Sequence, residues 1–198
     1  MNSPQAPSST NVRIATDKYV LRPLAESDAS DRWASWMSDP AVLYMLNAPA
    51  RSMTKVDIGK YIRNFDQKAH QLLGVFDKQS GRHIGFFTID IDGAGSQGLV
   101  NLLIGEPEFR NQGVLSSVRR QFAEYFFETL GLKTMKATAL SRNTIILDTL
   151  VKAGWVIDKT LPQHVRAHSD GALIDLCLLS LSRETWRARN GKVSDAAG

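Results

Sequence analysis

Chemistry near neutral pH needs groups that exchange protons or donors aimed at an anion, and this sequence offers a few in suggestive places. Arg110-Asn111-Gln112-Gly113 stands directly ahead of Val114 to Leu130, where Leu115, Val118, Phe122, Tyr125, Phe126 and Leu130 recur at three and four residues. A loop that enters such a helix presents free backbone N–H groups and the positive end of the helix dipole, and both favour phosphate. Gly113 lets an anion approach without a Cβ in the way, and Arg110 could add a charge-assisted bond. An ordinary helix entry accounts for the same residues. His164 is of the residue type most often used as a general base, yet it also reads as a partly buried strand histidine. Glu106 could relay a proton through water, or be a loop acid. Asp90 and Asp92 share a face if their stretch is extended, where they could attract a cationic amine or simply be solvated. Asp175, set among apolar residues, is either a buried acid that orients a loop or His164, or an edge residue. Cys177 lies between Leu176 and Leu178 and reads as strand core, not as a nucleophile.

These groups have to be positioned by an alternating set of strands and helices. Val12 to Leu24 has the β-branched content of a strand closed by Pro23. Ser27 is placed to cap a helix carrying Ala29, Trp33, Trp36 and Met37 on one face, stopped at Asp39-Pro40. Tyr44 to Thr54 reads as loop, and a second helix is expected from about Lys55 to Ala69. Strands follow at Leu72–Phe76, Ile84–Ile91 and Leu99–Ile104. The last is nearly all apolar, which predicts burial on both faces. Asp92-Gly93-Ala94-Gly95 supplies hairpin chemistry. After the long helix, Gly131 is a natural stop. A strand is expected at Thr134–Leu140 and a helix from Asn143 to about Ala153. Strands at Trp155–Thr160 and Ala172–Ser182 come next, then a helical stub at Glu184–Arg189.

The bulk properties narrow the class. The chain has 198 residues, 43% apolar and 22% charged, which suits one domain with its own core. We expect that domain over 12–189, with tails at 1–11 and 190–198. The net charge of +4 suits an anionic ligand, but it is too dispersed for a nucleic-acid surface. One cysteine rules out a disulfide within the chain and agrees with a cytoplasmic setting. No run approaches the roughly 18 apolar residues of a membrane helix, and the Ser- and Pro-containing start does not read as a signal peptide.

Ile104-Gly105-Glu106-Pro107-Glu108-Phe109-Arg110-Asn111-Gln112-Gly113 resembles the acyl-CoA motif of the GNAT acyltransferases. Asn143-Thr144-Ile145-Ile146, followed by Lys152-Ala153-Gly154-Trp155, resembles that family's second signature. The last third, with Gln163-His164, Asp170-Gly171, Asp175 and Glu184-Thr185-Trp186, is similar to the branch of ribosomal-protein N-acetyltransferases (the RimJ/RimL type). The resemblance covers about residues 12 to 186. It implies a mixed, mostly antiparallel sheet of about six or seven strands with helices on both faces. Leu102, Leu103 and Ile104 would splay from the strand after the long helix and hold the pantetheine arm of acetyl-CoA or another acyl-CoA. The pyrophosphate would sit on the backbone of Arg110, Asn111, Gln112, Gly113, Val114 and Leu115, and Asn143 would meet the pantetheine. Two departures stand out. Leu115 replaces the motif's second Gly or Ala, and the positions where relatives carry a Tyr or Ser proton donor are Leu150 and Ile146.

Acyl transfer needs a neutral amine, stabilisation of the developing oxyanion and departure of the thiolate. It calls for no metal. Holding both reactants in one slot contributes about 7–11 kcal/mol, and a backbone N–H of the splayed strand can serve the oxyanion. His164, near where this branch places substrate-side groups, and Glu106, just past the cofactor strand, are the candidate bases. The acceptor is expected to be a primary amine of a small molecule or a protein N-terminus. The alternative is an acyl-CoA-binding sensor or subunit without turnover. A ribosome- or RNA-associated protein would show a basic stripe interleaved with aromatics, which the sequence lacks. The apolar stretch Leu173 to Leu181 could pair across a homodimer.

Overall fold

The computed structural model describes residues 12–190; the expected tail 1–11, and 191–198 of the other, lie outside them. Eight strands form one sheet: β1 (Ile14–Ala15), β2 (Tyr19–Pro23), β3 (His70–Asp77), β4 (His83–Ile91), β5 (Gln97–Ile104), β6 (Thr134–Leu140), β7 (Val156–Arg166) and β8 (Leu173–Ser182), in the order β1-β2-β3-β4-β5-β6-β8-β7. All neighbours are antiparallel except β5 and β6. This is the expected mixed α/β sheet, with more strands than expected because the first one is split. Asp17-Lys18 turns the chain, and Thr16 Oγ1 accepts from the Tyr19 N–H at 3.0 Å, so Val12–Leu24 is a hairpin.

The helices are α1 (Asp31–Trp36), α2 (Pro40–Leu46), α3 (Lys55–Arg63), α4 (Val114–Glu124), α5 (Thr144–Lys152) and α6 (Arg183–Asn190). Ser30, not Ser27, caps α1, its Oγ accepting from the Trp33 N–H at 3.1 Å. Asp39-Pro40 does end α1, but it also begins α2: Asp39 caps it and Pro40 occupies the first turn, where proline's missing N–H costs nothing. Asn190, expected in the tail, closes α6. The long helix is α-helical to Glu124 and continues as a π-turn over Tyr125–Thr129, with Gly131 at a φ of 73° beyond it.

Two cores sandwich the sheet. On one face Phe87, Ile89 and Val100 pack against Val118, Phe122 and Phe126 of the long helix. On the other, Leu72, Phe86 and Leu103 pack against Trp33, Trp36, Ile58 and Ile62 of α1 and α3. The second set of helices covers only part of its face. Leu99 and Asn101 of β5 are therefore exposed, and the strand alternates where burial on both faces was expected. β8 lies between β6 and β7 with both edges bonded. Leu173–Leu181 is thus not free to pair across a dimer; the outer edge belongs to β7.

Candidate active site

The site follows from a failure of pairing. β5 and β6 are joined in sequence by α4, as parallel neighbours require, and they pair only over Gln97–Leu99 with Thr134–Lys136. Beyond that point β5 stays with β4 as far as Ile104↔Gly85, and β6 stays with β8 as far as Leu140↔Leu176. The strands splay, and the facing edges of Val100–Ile104 and Ala137–Leu140 enclose a cavity of about 900 Å³. Leu102 lines it. Leu103 points the other way, into the core beneath Trp36, so only its backbone can face the gap.

At one mouth of the gap stands the start of α4. Gly113 takes the N-cap position at a φ of 72°, a left-handed conformation that a side chain disfavours. No side chain caps this helix, and within the described residues the N–H groups of Gly113, Val114, Leu115 and Ser116 have no partner. Val114 turns its side chain into the core and offers only its N–H. Leu115 lines the cavity. Asn111 and Gln112 are exposed, and Asn111 shares the left-handed conformation (φ 58°) that aims this loop outward. Asn143 caps α5, its Oδ1 accepting from the Ile146 N–H at 3.4 Å, and it lines the cavity with Ile146 and Leu150. The two positions where a proton donor was looked for are therefore inside the cavity and apolar. Thr149, on the same helix, also lines it, but its hydroxyl donates to the Ile145 carbonyl at 2.7 Å.

The two candidate bases stand elsewhere. Glu106 is fully buried outside the cavity lining. Arg32 and Arg82 both bond its carboxylate, and the Trp36 indole donates to Oε1 at 2.9 Å. Burial pushes its pKa up, but Arg32, Trp36 and Arg82 outweigh that and hold it below the ordinary range. An anion with every oxygen engaged is a structural pin, not a base. His164 is exposed on β7, beside Gln163 at a φ of 51° where the register with β8 shifts, and its neighbour Val165 is the residue that lines the cavity. Asp90 pairs with His70 Nδ1 at 2.9 Å across β3 and β4, and Asp92 accepts from the Ser96 and Gln97 N–H groups in the β4–β5 hairpin at the closed end of the gap. Asp175 accepts from the Gln163 N–H at 2.8 Å. Among the described residues the cavity lining contains no Asp, Glu or His.

What the sequence reading missed is basic. Arg119 and Arg120 on α4 line the cavity with Lys152 of α5 and Arg189 of α6. The only sequence signal was two adjacent arginines one helical turn past the phosphate loop. Arg110 is occupied differently from the motif's suggestion: Nε donates to the Ile104 carbonyl at 3.3 Å, and Nη2 to the Gly105 carbonyl and to Asp39 Oδ2 at 2.9 Å.

A strand wedge beside an uncapped helix entry is the geometry of a site for a long, phosphate-ended acyl carrier. Residues 18–156 match the acetyltransferase (GNAT) domain family, and the chain belongs to that family. It is an N-acetyltransferase that takes its acyl group from CoA, the family's donor. The fold is similar to an acetyltransferase from Bacillus anthracis (TM-score 0.73, 14% identity, 87% of this chain and 99% of that one). It is also similar to a ribosomal-protein-S5-alanine acetyltransferase from Vibrio fischeri (0.72, 17%, 89% and 99%). A third likeness is to spermidine N-acetyltransferase from Vibrio cholerae in complex with CoA and spermine (0.74, 15%, 85% and 97%). No curated protein matches the sequence. Among the described residues no helix is long and apolar enough to cross a membrane.

Proposed function

We propose that this protein transfers an acetyl or other acyl group from CoA directly to a primary amine of a small molecule or a protein N-terminus, within a ternary complex. The observation that carries the reading is the wedge between β5 and β6 with four free N–H groups at its mouth. The pyrophosphate would rest on Gly113–Ser116, with Arg119, Arg120 and Lys152 close enough to balance the donor's charge. The pantetheine would lie along the unpaired edge of β5 against Leu102, with Asn143 opposite. The acceptor would enter from the uncovered face of the sheet. Its nitrogen attacks the thioester carbon, a tetrahedral oxyanion forms, the C–S bond breaks, and the thiolate takes up a proton. With no Asp, Glu, His, Tyr or Cys among the described lining residues, that proton comes from the ammonium or from solvent, and alignment carries most of the rate.

Calorimetric titration with acetyl-CoA tests the donor site. Saturable binding is expected, and Gly113→Asp, which strains the left-handed cap and sets a carboxylate among the N–H groups, is expected to weaken it at least tenfold (about 1.4 kcal/mol). An unchanged affinity in the variant would displace the phosphate from this loop. A thiol-release assay against spermidine, an alanine-first tripeptide amide, lysine and an aminoglycoside then tests the acceptor class. The first two follow the neighbours' acceptors. Binding with no release for any of the four would overturn the proposed acceptor class.

A further inference from the structure

One wall of the cavity is a helix that packing alone does not hold. α2 contributes Met45 and Leu46 to the lining, followed by Asn47, yet Val42 is its only buried residue. A short helix with a single buried side chain is marginal by itself, so its ends must hold it. At the first end Asp39 divides its oxygens. Oδ1 accepts from the N–H groups of Ala41 (2.8 Å) and Val42 (3.4 Å), and Oδ2 accepts from Arg110 Nη2 (2.9 Å). The same guanidinium grips the carbonyls of Ile104 and Gly105, where the donor strand ends. At the other end Asn47, in the left-handed region at a φ of 51°, makes three contacts with its side chain. Oδ1 accepts from the His168 N–H at 3.0 Å and from Arg142 Nη2 at 3.4 Å, while Nδ2 donates to the Arg166 carbonyl at 2.9 Å. Arg142 also donates to the Tyr44 carbonyl and lies 3.9 Å over the Tyr44 ring. The helix is thus tied to the end of β5 on one side. On the other it is tied to the β7–β8 turn and the β6–α5 junction.

Val42 packs into the core on the sheet face opposite α4, so α2 meets the wedge from the side away from the Gly113 helix entry; we propose that it is a brace that sets the acceptor wall, and that Arg110, Asp39 and Asn47 are positioning residues for the acceptor. Arg110 serves the brace and not the donor's pyrophosphate, which is left to backbone N–H groups. The proposal rests on the acyltransferase reading above. It differs from the motif's implication in one measurable way: Arg110 and Asp39 act as a pair, whereas a phosphate ligand acts without Asp39.

The test uses Arg110→Gln, Asp39→Asn, their double variant and Asn47→Gly, with acetyl-CoA affinity by calorimetry and steady-state constants for whichever of the four amines the native protein turns over fastest. Asparagine still caps a helix, and glycine keeps the left-handed cap, so each change removes the tie and spares α2's local conformation. The acceptor KM is expected to rise about three- to tenfold in each variant, the size of a lost hydrogen bond, charge-assisted at Arg110 and Asp39. Acetyl-CoA affinity is expected to stay within about twofold, and the double variant to be no worse than the worse single one. Arg110→Lys, which keeps the charge toward Asp39, should recover part of the loss. A tenfold loss of acetyl-CoA affinity in Arg110→Gln without one in Asp39→Asn would overturn the proposal, and so would an unmoved acceptor KM in Asn47→Gly. Failure of the native protein to bind acetyl-CoA or to turn over any amine would instead bring down the acyltransferase reading, and this proposal with it.

Discussion

At the scale of single residues, burial separates two carboxyl roles that look alike in sequence. Glu106 follows an apolar strand, which is where a proton relay to the cofactor would be sought. Its side chain lies under α1, held by Arg32, Arg82 and Trp36. A buried carboxylate with three donors is costly to disturb, because removing it leaves guanidinium charge without its partner. Glu106→Gln is therefore expected to lower stability by about 2–3 kcal/mol in urea denaturation, while kcat of the folded protein changes little. A hundredfold fall in kcat at unchanged stability would return Glu106 to the role of base. His164→Ala should leave both quantities within about twofold of the native values, since an exposed side chain outside the lining touches neither core nor reactants. Gly105 shows why the segment is built so tightly: a Cβ there would sit 1.9 Å from the Trp36 ring.

At the scale of elements, α4 carries two kinds of group suited to an anion. Its first turn offers N–H groups, and its second offers Arg119 and Arg120 toward the same cavity. Exposed charges act over about a Debye length and are screened by salt. Replacing both arginines by Glu should weaken acetyl-CoA binding at least fivefold in dilute buffer and much less at high salt, where screening is strong. Titrations at two ionic strengths check this, and an equal loss at both would point to a damaged helix. β5 and α2 show the limits of pattern. The apolar run of β5 was legible, but whether one or both faces are covered depends on how far α1 and α3 reach. α2 carries little periodicity, because ties at its ends hold it in place of an apolar face.

At the scale of the whole molecule, a titratable ring inside the second core ties stability to pH. His83 lies among Trp33, Trp36 and Phe76, with ring centroids 5.0–5.2 Å away, and no side chain hydrogen-bonds either ring nitrogen. Burial pushes its pKa down to about 4 from an ordinary 6.5. The unfolded chain thus binds the proton more tightly, and stability rises with pH across that window. His83 contributes fully above about pH 6.5, and up to roughly 3 kcal/mol is lost as the pH falls toward 4. His83→Phe should flatten this part of the stability profile in urea denaturation at stepped pH. An unchanged slope between pH 6.5 and 4 would mean that the ring is solvated.

The sequence by itself determined the local elements and their order. β6 and the start of α5 fall where the pattern put them, because period, caps and glycines act over a few residues. It also determined the helix entry at Gly113 and the apolar character of Ile146 and Leu150. Tertiary structure decided what those residues face. The wedge exists because β5 and β6 part after Leu99, a matter of how two strands separated by a whole helix diverge. That divergence brings Arg119, Arg120, Lys152 and Asn143 to one cavity and leaves His164 outside it. Three-dimensional packing likewise made Glu106 a buried pin and turned Arg110 toward Asp39. Contacts between residues far apart in the chain fix these outcomes, and no short-range pattern encodes them.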